Sequence, residues 1–362
     1  MRLRYYISGH GLGHASRSLQ IIAALRRRHP QLEVDVVTSA APWFLRAGGL
    51  AATAVRSAAF DIGVIQRDSL EMDIPATGGA WRELLSQRDV QLAAETASLQ
   101  RDRVALVVSD IPALPLLAAR QAGIPGVGVS NFTWDWICRG FVAETPELAA
   151  VAASLAADYA AAARFLALPF CGPFPPGPTV ELLPLVARKA RRPAAVIRRE
   201  LGLPTDKRIA LISFGGFGLT EFDSAPLARL HDWIFLSEPA LGAAAPNLRL
   251  IPTGSCYYPD LVAAADVVVT KPGYGIVAEA IVNDTAVLYT ERGNFREQEL
   301  LIAGLRRYAR ALPIDNRQLR SGDWGEALAT LLTLPAAGEA LASDGDTVAA
   351  DRLATLATGR SE

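Results

Sequence analysis

Short aliphatic runs alternate with stretches of helical periodicity along most of the chain, and many of the runs stop at glycine or a polar residue. In the first half, Arg4–Ser8, Glu33–Thr38, Val104–Ser109 and Gly126–Ser130 read as strands, with Ala52–Val55 a weaker one. His14–Arg28, Pro42–Ala47, Trp81–Leu99, Pro112–Ala122 and the alanine-rich Pro146–Arg164 read as helices between or after them. Val104–Ser109 is nearly all aliphatic, as expected of a strand covered on both faces. Arg56–Gly79 is polar and without clean period, and reads as a loop over the edge of a site.

The grammar then repeats. Arg208–Ser213, Trp233–Leu236, Leu248–Ile251, Val267–Thr270 and Ala286–Tyr289 read as strands, and Tyr258–Ala264, Ile276–Ile281, Phe295–Gly304 and Gly322–Leu332 as helices. Strand, turn, helix, strand is the unit of a parallel sheet, so the fold class is α/β with two similar domains. The run Cys171–Pro178 is too rich in proline for a helix interior and marks a boundary. The division is residues 1–170 as a first domain, 171–200 as a linker, 201–340 as a second domain, and 341–362 as a tail or closing helix. The polar end after Asp344 is expected to pack only loosely.

Length agrees with this division, because 362 residues exceed the size at which a single core usually stops growing. With 36 basic and 37 acidic residues the formal charge is -1, which leaves no global footprint for nucleic acid. Three cysteines without a CxxC or nearby histidines speak against a disulfide framework or a zinc site. No secretory core or run of ~20 apolar residues is legible, so a cytoplasmic location is expected; peripheral contact with a membrane surface stays open.

The chemistry gathers at the turns. A glycine-rich turn between strand and helix lets a ligand approach the backbone and aims unpaired amides at it. Gly9, Gly11 and Gly13 form such a turn in the first half, and Gly215, Gly216 and Gly218 in the second. Neither continues as a Walker loop, and the first fits the dinucleotide fingerprint poorly because Ser16 falls where the third glycine belongs. His10 and His14 lie in and just after the first turn, where an imidazole can accept a proton near neutral pH. Asp110 and Asp135 follow buried strands and either orient such a base, bind hydroxyls, or cap a local turn. Asn131 and Trp134 share that strand end with Asp135, and Arg17 follows the histidines; with Gly11 and Gly13 these are the further ligand-contact candidates of the first half, which the resemblance given below implies to be the acceptor side. In the second half, Lys271 is placed to neutralise phosphate, the helix opening after Gly273 and Gly275 to meet it, and Glu279, one to two turns on, to hold a ribose diol. Polar residues from Glu291 to Glu299 follow a strand and are suited to a sugar. No GxSxG elbow is present.

Five separated motifs in order carry a family resemblance: Tyr5–Arg17, Val107–Asp110, Asn131–Asp135, Phe214–Gly216 and Lys271–Ala280. Together, over roughly residues 4–330, the chain resembles the glycosyltransferase-like amino-terminal region of plant L-arabinokinase and its stand-alone bacterial relatives. The sugar-kinase region of the plant protein has no counterpart in that match. More distantly the layout is similar to MurG-like nucleotide-sugar glycosyltransferases. The resemblance implies a GT-B fold with a cleft between two domains, the donor mainly on the second and the acceptor on the first. It further implies His14 as the catalytic histidine, Glu279 as the ribose ligand and Glu297-Gln298 as the donor-contacting pair. The activity implied is sugar transfer from a nucleotide sugar, UDP-sugar favoured, to an unknown acceptor, inverting and without metal or cofactor. The alternatives are a non-catalytic nucleotide-sugar-binding or regulatory module and a nucleotide-sugar epimerase.

Overall fold

The computed structural model describes residues 1–215, 218–242 and 244–359. Seven parallel strands form the first sheet: β1 (Arg2–Ile7), β2 (Glu33–Thr38), β3 (Val55–Ser57), β4 (Val104–Asp110), β5 (Gly126–Ser130), β6 (Arg164–Ala167) and β7 (Thr179–Leu182), in the order β3-β2-β1-β4-β5-β6-β7. Six more form the second: β8 (Arg208–Ser213), β9 (Trp233–Ser237), β10 (Leu248–Leu250), β11 (Val267–Thr270), β12 (Ala286–Tyr289) and β13 (Ala311–Pro313), in the order β10-β9-β8-β11-β12-β13. Both are parallel sheets of the doubly wound kind, two Rossmann-like α/β domains.

The strand order decides where ligands go. In the first sheet the chain winds outward one way from β1 and the other way from β4, and in the second it does the same from β8 and β11. A crevice opens beyond the carboxyl ends of strands at such a reversal. Register brings those ends level: Ile7 pairs with Asp110, and Thr270 pairs with both Ser213 and Tyr289. Helix Gly13–Arg28 follows β1, and helix Tyr274–Val282 follows β11.

The core is built from the aliphatic runs. Leu3, Tyr5, Leu106, Val108, Val127 and Val129 are all fully buried in the first sheet, and Ala210, Phe235, Val267 and Val269 in the second. Burial of each large apolar side chain contributes roughly 1.5–3 kcal/mol. One apolar cluster crosses between the domains, joining Ala15, Leu19 and Ile22 to Tyr274, Val277 and Leu301.

Several regions depart from the sequence reading, three of them with consequences for the packing. The stretch expected as one helix over Trp81–Leu99 is two, Ile74–Ser86 and Arg88–Arg101, and the first begins inside the expected loop because the Asp73 side chain caps it by accepting from the Ala76 amide. The linker contributes β7, whose edge position leaves Leu182 exposed and blurs the hydrophobic pattern. The end of the chain is not loose: helix Gly345–Thr358 buries Ala349, Ala350, Leu353, Ala354 and Ala357 in the same cluster as helix Gly13–Arg28. Small residues give little periodic signal yet allow close helix approach. Asp351 fixes the contact by accepting from Arg28 Nε at 2.9 Å, and lies 2.7 Å from His29 Nε2. Among the described residues, no helix is long and apolar enough to cross a membrane.

Candidate active site between two glycine turns

The turn after β1 and the end of β4 meet at the first reversal. Gly11 adopts φ +64°, a conformation that glycine enters without a Cβ penalty, and the chain then turns into helix Gly13–Arg28. This places His14 in the first helical turn, nearly buried, with its Nδ1 2.8 Å from Asp110 Oδ1. Arg17, one turn further on, grips the same carboxylate through Nε to Oδ2 at 2.8 Å and Nη2 to Oδ1 at 2.7 Å, and Ser18 donates to Oδ2 at 2.9 Å. Burial alone would raise the Asp110 carboxyl, but Arg17 and then His14 outweigh it and hold it down to about 2. Asp110 is therefore ionised and can only accept.

That fixes the tautomer of His14. Arg17 Nη2 also lies 2.9 Å from Nδ1, but its two hydrogens are directed to Asp110 Oδ1 and to Ser130 Oγ at 3.0 Å. In the neutral imidazole Nδ1–H thus donates to the carboxylate and Nε2 carries the lone pair, the arrangement of a histidine oriented as a base. Phe132 packs edge-on to the ring at 5.5 Å and Trp134 at 6.0 Å.

His10 has a different setting. Its Nδ1 accepts weakly from the Val64 amide at 3.4 Å, its ring meets Trp134 at 5.2 Å, and Gly63 leaves room for it where a side chain would collide. Burial first, then the charges of Arg292, His14 and Lys271, push its pKa well below the usual histidine range, so the imidazole is neutral.

Asn131 ties the two halves together. Its Oδ1 accepts from Arg17 Nη1 at 2.7 Å, and its Nδ2 donates to Glu297 Oε1 at 2.8 Å. Trp134 donates from Nε1 to Asp61 at 2.8 Å. Asp135 faces Arg139 on its own helix at 3.0 Å and stands apart from the His14 group.

On the second domain, Gly273 precedes helix Tyr274–Val282 and Gly275 lies 3.7 Å from Gly13, measured from the position a Cβ would take. The amino ends of two helices thus converge, both with positive dipole ends. The Arg17 guanidinium lies over the Tyr274 ring, 4.9 Å from its centroid. Lys271 follows β11, and burial, then Arg292, lowers its pKa well below the lysine range. Gly215 has φ +67° at the end of β8, whereas Gly216 lies outside the described residues. Glu279 is buried and engaged by Arg188 Nε at 2.6 Å, a partner from the bridging segment. Gln298 Oε1 accepts from the Arg292 amide at 2.5 Å.

Two features were not singled out by sequence. The segment before helix Ile74–Ser86 straps the first domain to the second: Ser69 donates to the Phe214 carbonyl at 2.5 Å, and Asp68 accepts from Thr220 Oγ1 at 2.6 Å. Arg292 is buried, with its guanidinium 3.9 Å from the centre of the Phe295 ring. A motif search does not separate it from the other arginines. Among the described residues, no three histidine, cysteine, aspartate or glutamate side chains are grouped to hold a metal ion.

The architecture is the GT-B fold. Solved glycosyltransferases share it across nearly the whole chain: MurG of Acinetobacter baumannii (TM-score 0.57, 14% identity, 100% of this chain and 95% of that one). The same holds for the calicheamicin glycosyltransferase CalG4 (TM-score 0.59, 15% identity, 99% and 94%) and a UGT transferase of Siraitia grosvenorii in complex with UDP (TM-score 0.58, 13% identity, 99% of each). In sequence, the chain is similar to L-arabinokinase of Arabidopsis thaliana, 30% identical over 369 residues that span 98% of this chain. It spans about a third of the plant protein's length. No protein-family model matches the chain.

Proposed function

We propose that the chain is an inverting glycosyltransferase that uses a nucleotide sugar, with UDP as the favoured nucleotide, and needs no metal. The observation that carries this reading is the contact of His14 Nδ1 with the ionised Asp110, 2.8 Å apart at the reversal of the first sheet. His14 Nε2 takes the proton of an acceptor hydroxyl as its oxygen forms a bond to the anomeric carbon. The bond from that carbon to the diphosphate oxygen breaks, and the diphosphate departs with the electron pair. Asp110 stabilises the imidazolium that results, a contribution of general-base catalysis typically worth about 10²–10⁴ in rate.

The departing diphosphate develops negative charge where helix starts at Gly13 and Tyr274 converge and Lys271 stands by. Fixed donors of this kind stabilise a transition state without reorganising. Support for UDP comes from the UDP complex among the proteins sharing the fold. Glu279 is assigned to the ribose on condition that it exchanges Arg188 for the diol, while Glu297 and Gln298 border the sugar.

Thermal-shift screening against UDP, GDP and TDP tests the donor assignment. UDP at a hundredfold excess over its Kd is expected to add ~2.7 kcal/mol of apparent stability. Product analysis with UDP-sugars and a broad acceptor panel tests turnover. Binding without turnover across that panel would support a non-catalytic module, and absence of any nucleotide binding would overturn the reading.

A further inference from the structure

Arg292 is a feature of the cleft that the transfer chemistry leaves without a task. Its side chain is only 6% exposed, and among the described residues its Nε and Nη2 have no hydrogen-bond partner. Those two nitrogens form one edge of the guanidinium, the edge that matches the two oxygens of a carboxylate. The Arg292 guanidinium carbon lies over the Phe295 ring, 3.9 Å from its centre, and Gln298 pins the Arg292 amide. The side chain is thus oriented by its neighbours; the Glu297 carboxylate is near enough to stabilise its charge, but nothing among the described residues is hydrogen-bonded to the Nε–Nη2 edge. Lys271, at the neighbouring strand end, has no ion-pair partner among the described residues either.

The position argues for a group on the sugar and against the diphosphate. A diphosphate is met by neutral amides at the starts of helices Gly13–Arg28 and Tyr274–Val282. Arg292 is instead connected to the reacting histidine by a row of rings: Phe295 contacts Phe132 at 6.1 Å, and Phe132 contacts His14 at 5.5 Å. It also adjoins Glu297 and Gln298, the residues bordering the sugar. We infer that the Nε–Nη2 edge of Arg292 binds a carboxylate carried by the transferred sugar, so that the donor is a nucleotide sugar of the uronic-acid class. This rests on the glycosyltransferase reading and narrows its substrate.

Isothermal titration of the full chain with UDP, UDP-glucose, UDP-galactose, UDP-glucuronate and UDP-galacturonate tests it. The expected result is that at least one uronate binds tenfold or more tightly than its neutral counterpart. Arg292→Met should abolish that difference while the Kd for UDP stays within about twofold, and Arg292→Lys should restore part of it. Arg292→Gln supplies the same readout if Arg292→Met does not fold. Equal binding of uronates and neutral sugars by the wild type would overturn the inference and leave the glycosyltransferase reading standing. A parallel loss of UDP and uronate binding in Arg292→Met would overturn it too, by making Arg292 a diphosphate ligand. Failure of every nucleotide to bind would remove both.

Discussion

The two domains bring comparable turns to the same cleft and treat their charges in opposite ways. On the first domain Asp110 is wholly buried yet saturated, accepting from His14, Arg17 and Ser18. On the second, Arg292 is almost as buried and its Nε and Nη2 have no partner among the described residues. A buried charge costs several kcal/mol unless it is paired, so the first centre is stabilised by the fold itself while the second, with Glu297 nearby but no hydrogen bond on its Nε–Nη2 edge, is stabilised only in part. The first therefore suits proton transfer with a fixed geometry, and the second suits recognition of an anion.

The sharpest way to break that contrast is Asp110→Asn, which strands Arg17 as an uncompensated buried cation. A loss of about 3–5 kcal/mol is expected in denaturant unfolding. Protonation acts in the same direction. The Asp110 carboxyl sits below its unfolded value near 3.9, so its stabilisation is present above that pH and lost as pH falls toward about 2.

Next in size is the strap. Asp68→Ala removes acceptors for Thr220, Leu70 and Glu71, and is expected to cost on the order of 1–3 kcal/mol and to speed proteolysis between residues 61 and 73. Limited proteolysis with mass readout checks it.

His10 gives a smaller effect with a definite sign. Its folded pKa lies below its unfolded one, so the unfolded state binds more protons and stability falls as pH drops below ~6.5. His10→Gln should flatten the slope of melting temperature between pH 7.5 and 5.5. The smallest change should come from Arg292→Met in the absence of ligand. Removing an unpartnered charge is expected to leave stability unchanged or raise it by about 1 kcal/mol, opposite in sign to Asp110→Asn.

How much of this was legible follows from burial. Strands such as Arg208–Ser213 and Val267–Thr270 match the reading residue for residue, because both faces are covered and every position is under the same apolar demand. Helix Trp134–Gly140 was missed because its two tryptophans and aspartate look like a strand-end cluster, with about two turns of helix hidden inside. The site residues His14 and Asp110 were visible singly, each at a strand end. The reading offered either Asp110 or Asp135 as the group orienting such a base; that Asp110 pairs with His14 was not legible, since the contact joins positions 96 apart and depends on β1 and β4 being neighbours. Arg188 as partner of Glu279 was equally hidden, because it comes from a bridging segment with no periodicity. Arg292 is distinguished only by what surrounds it, which no local pattern encodes.

The central claim is that His14, oriented by Asp110, removes the acceptor proton. Its most direct test is a comparison of wild type and His14→Ala for both sugar transfer and UDP affinity under the same conditions. The account predicts a fall in kcat of about 10²–10⁴ with the Kd for UDP within twofold. Unchanged turnover in His14→Ala, or a loss explained entirely by weakened UDP binding, would contradict it.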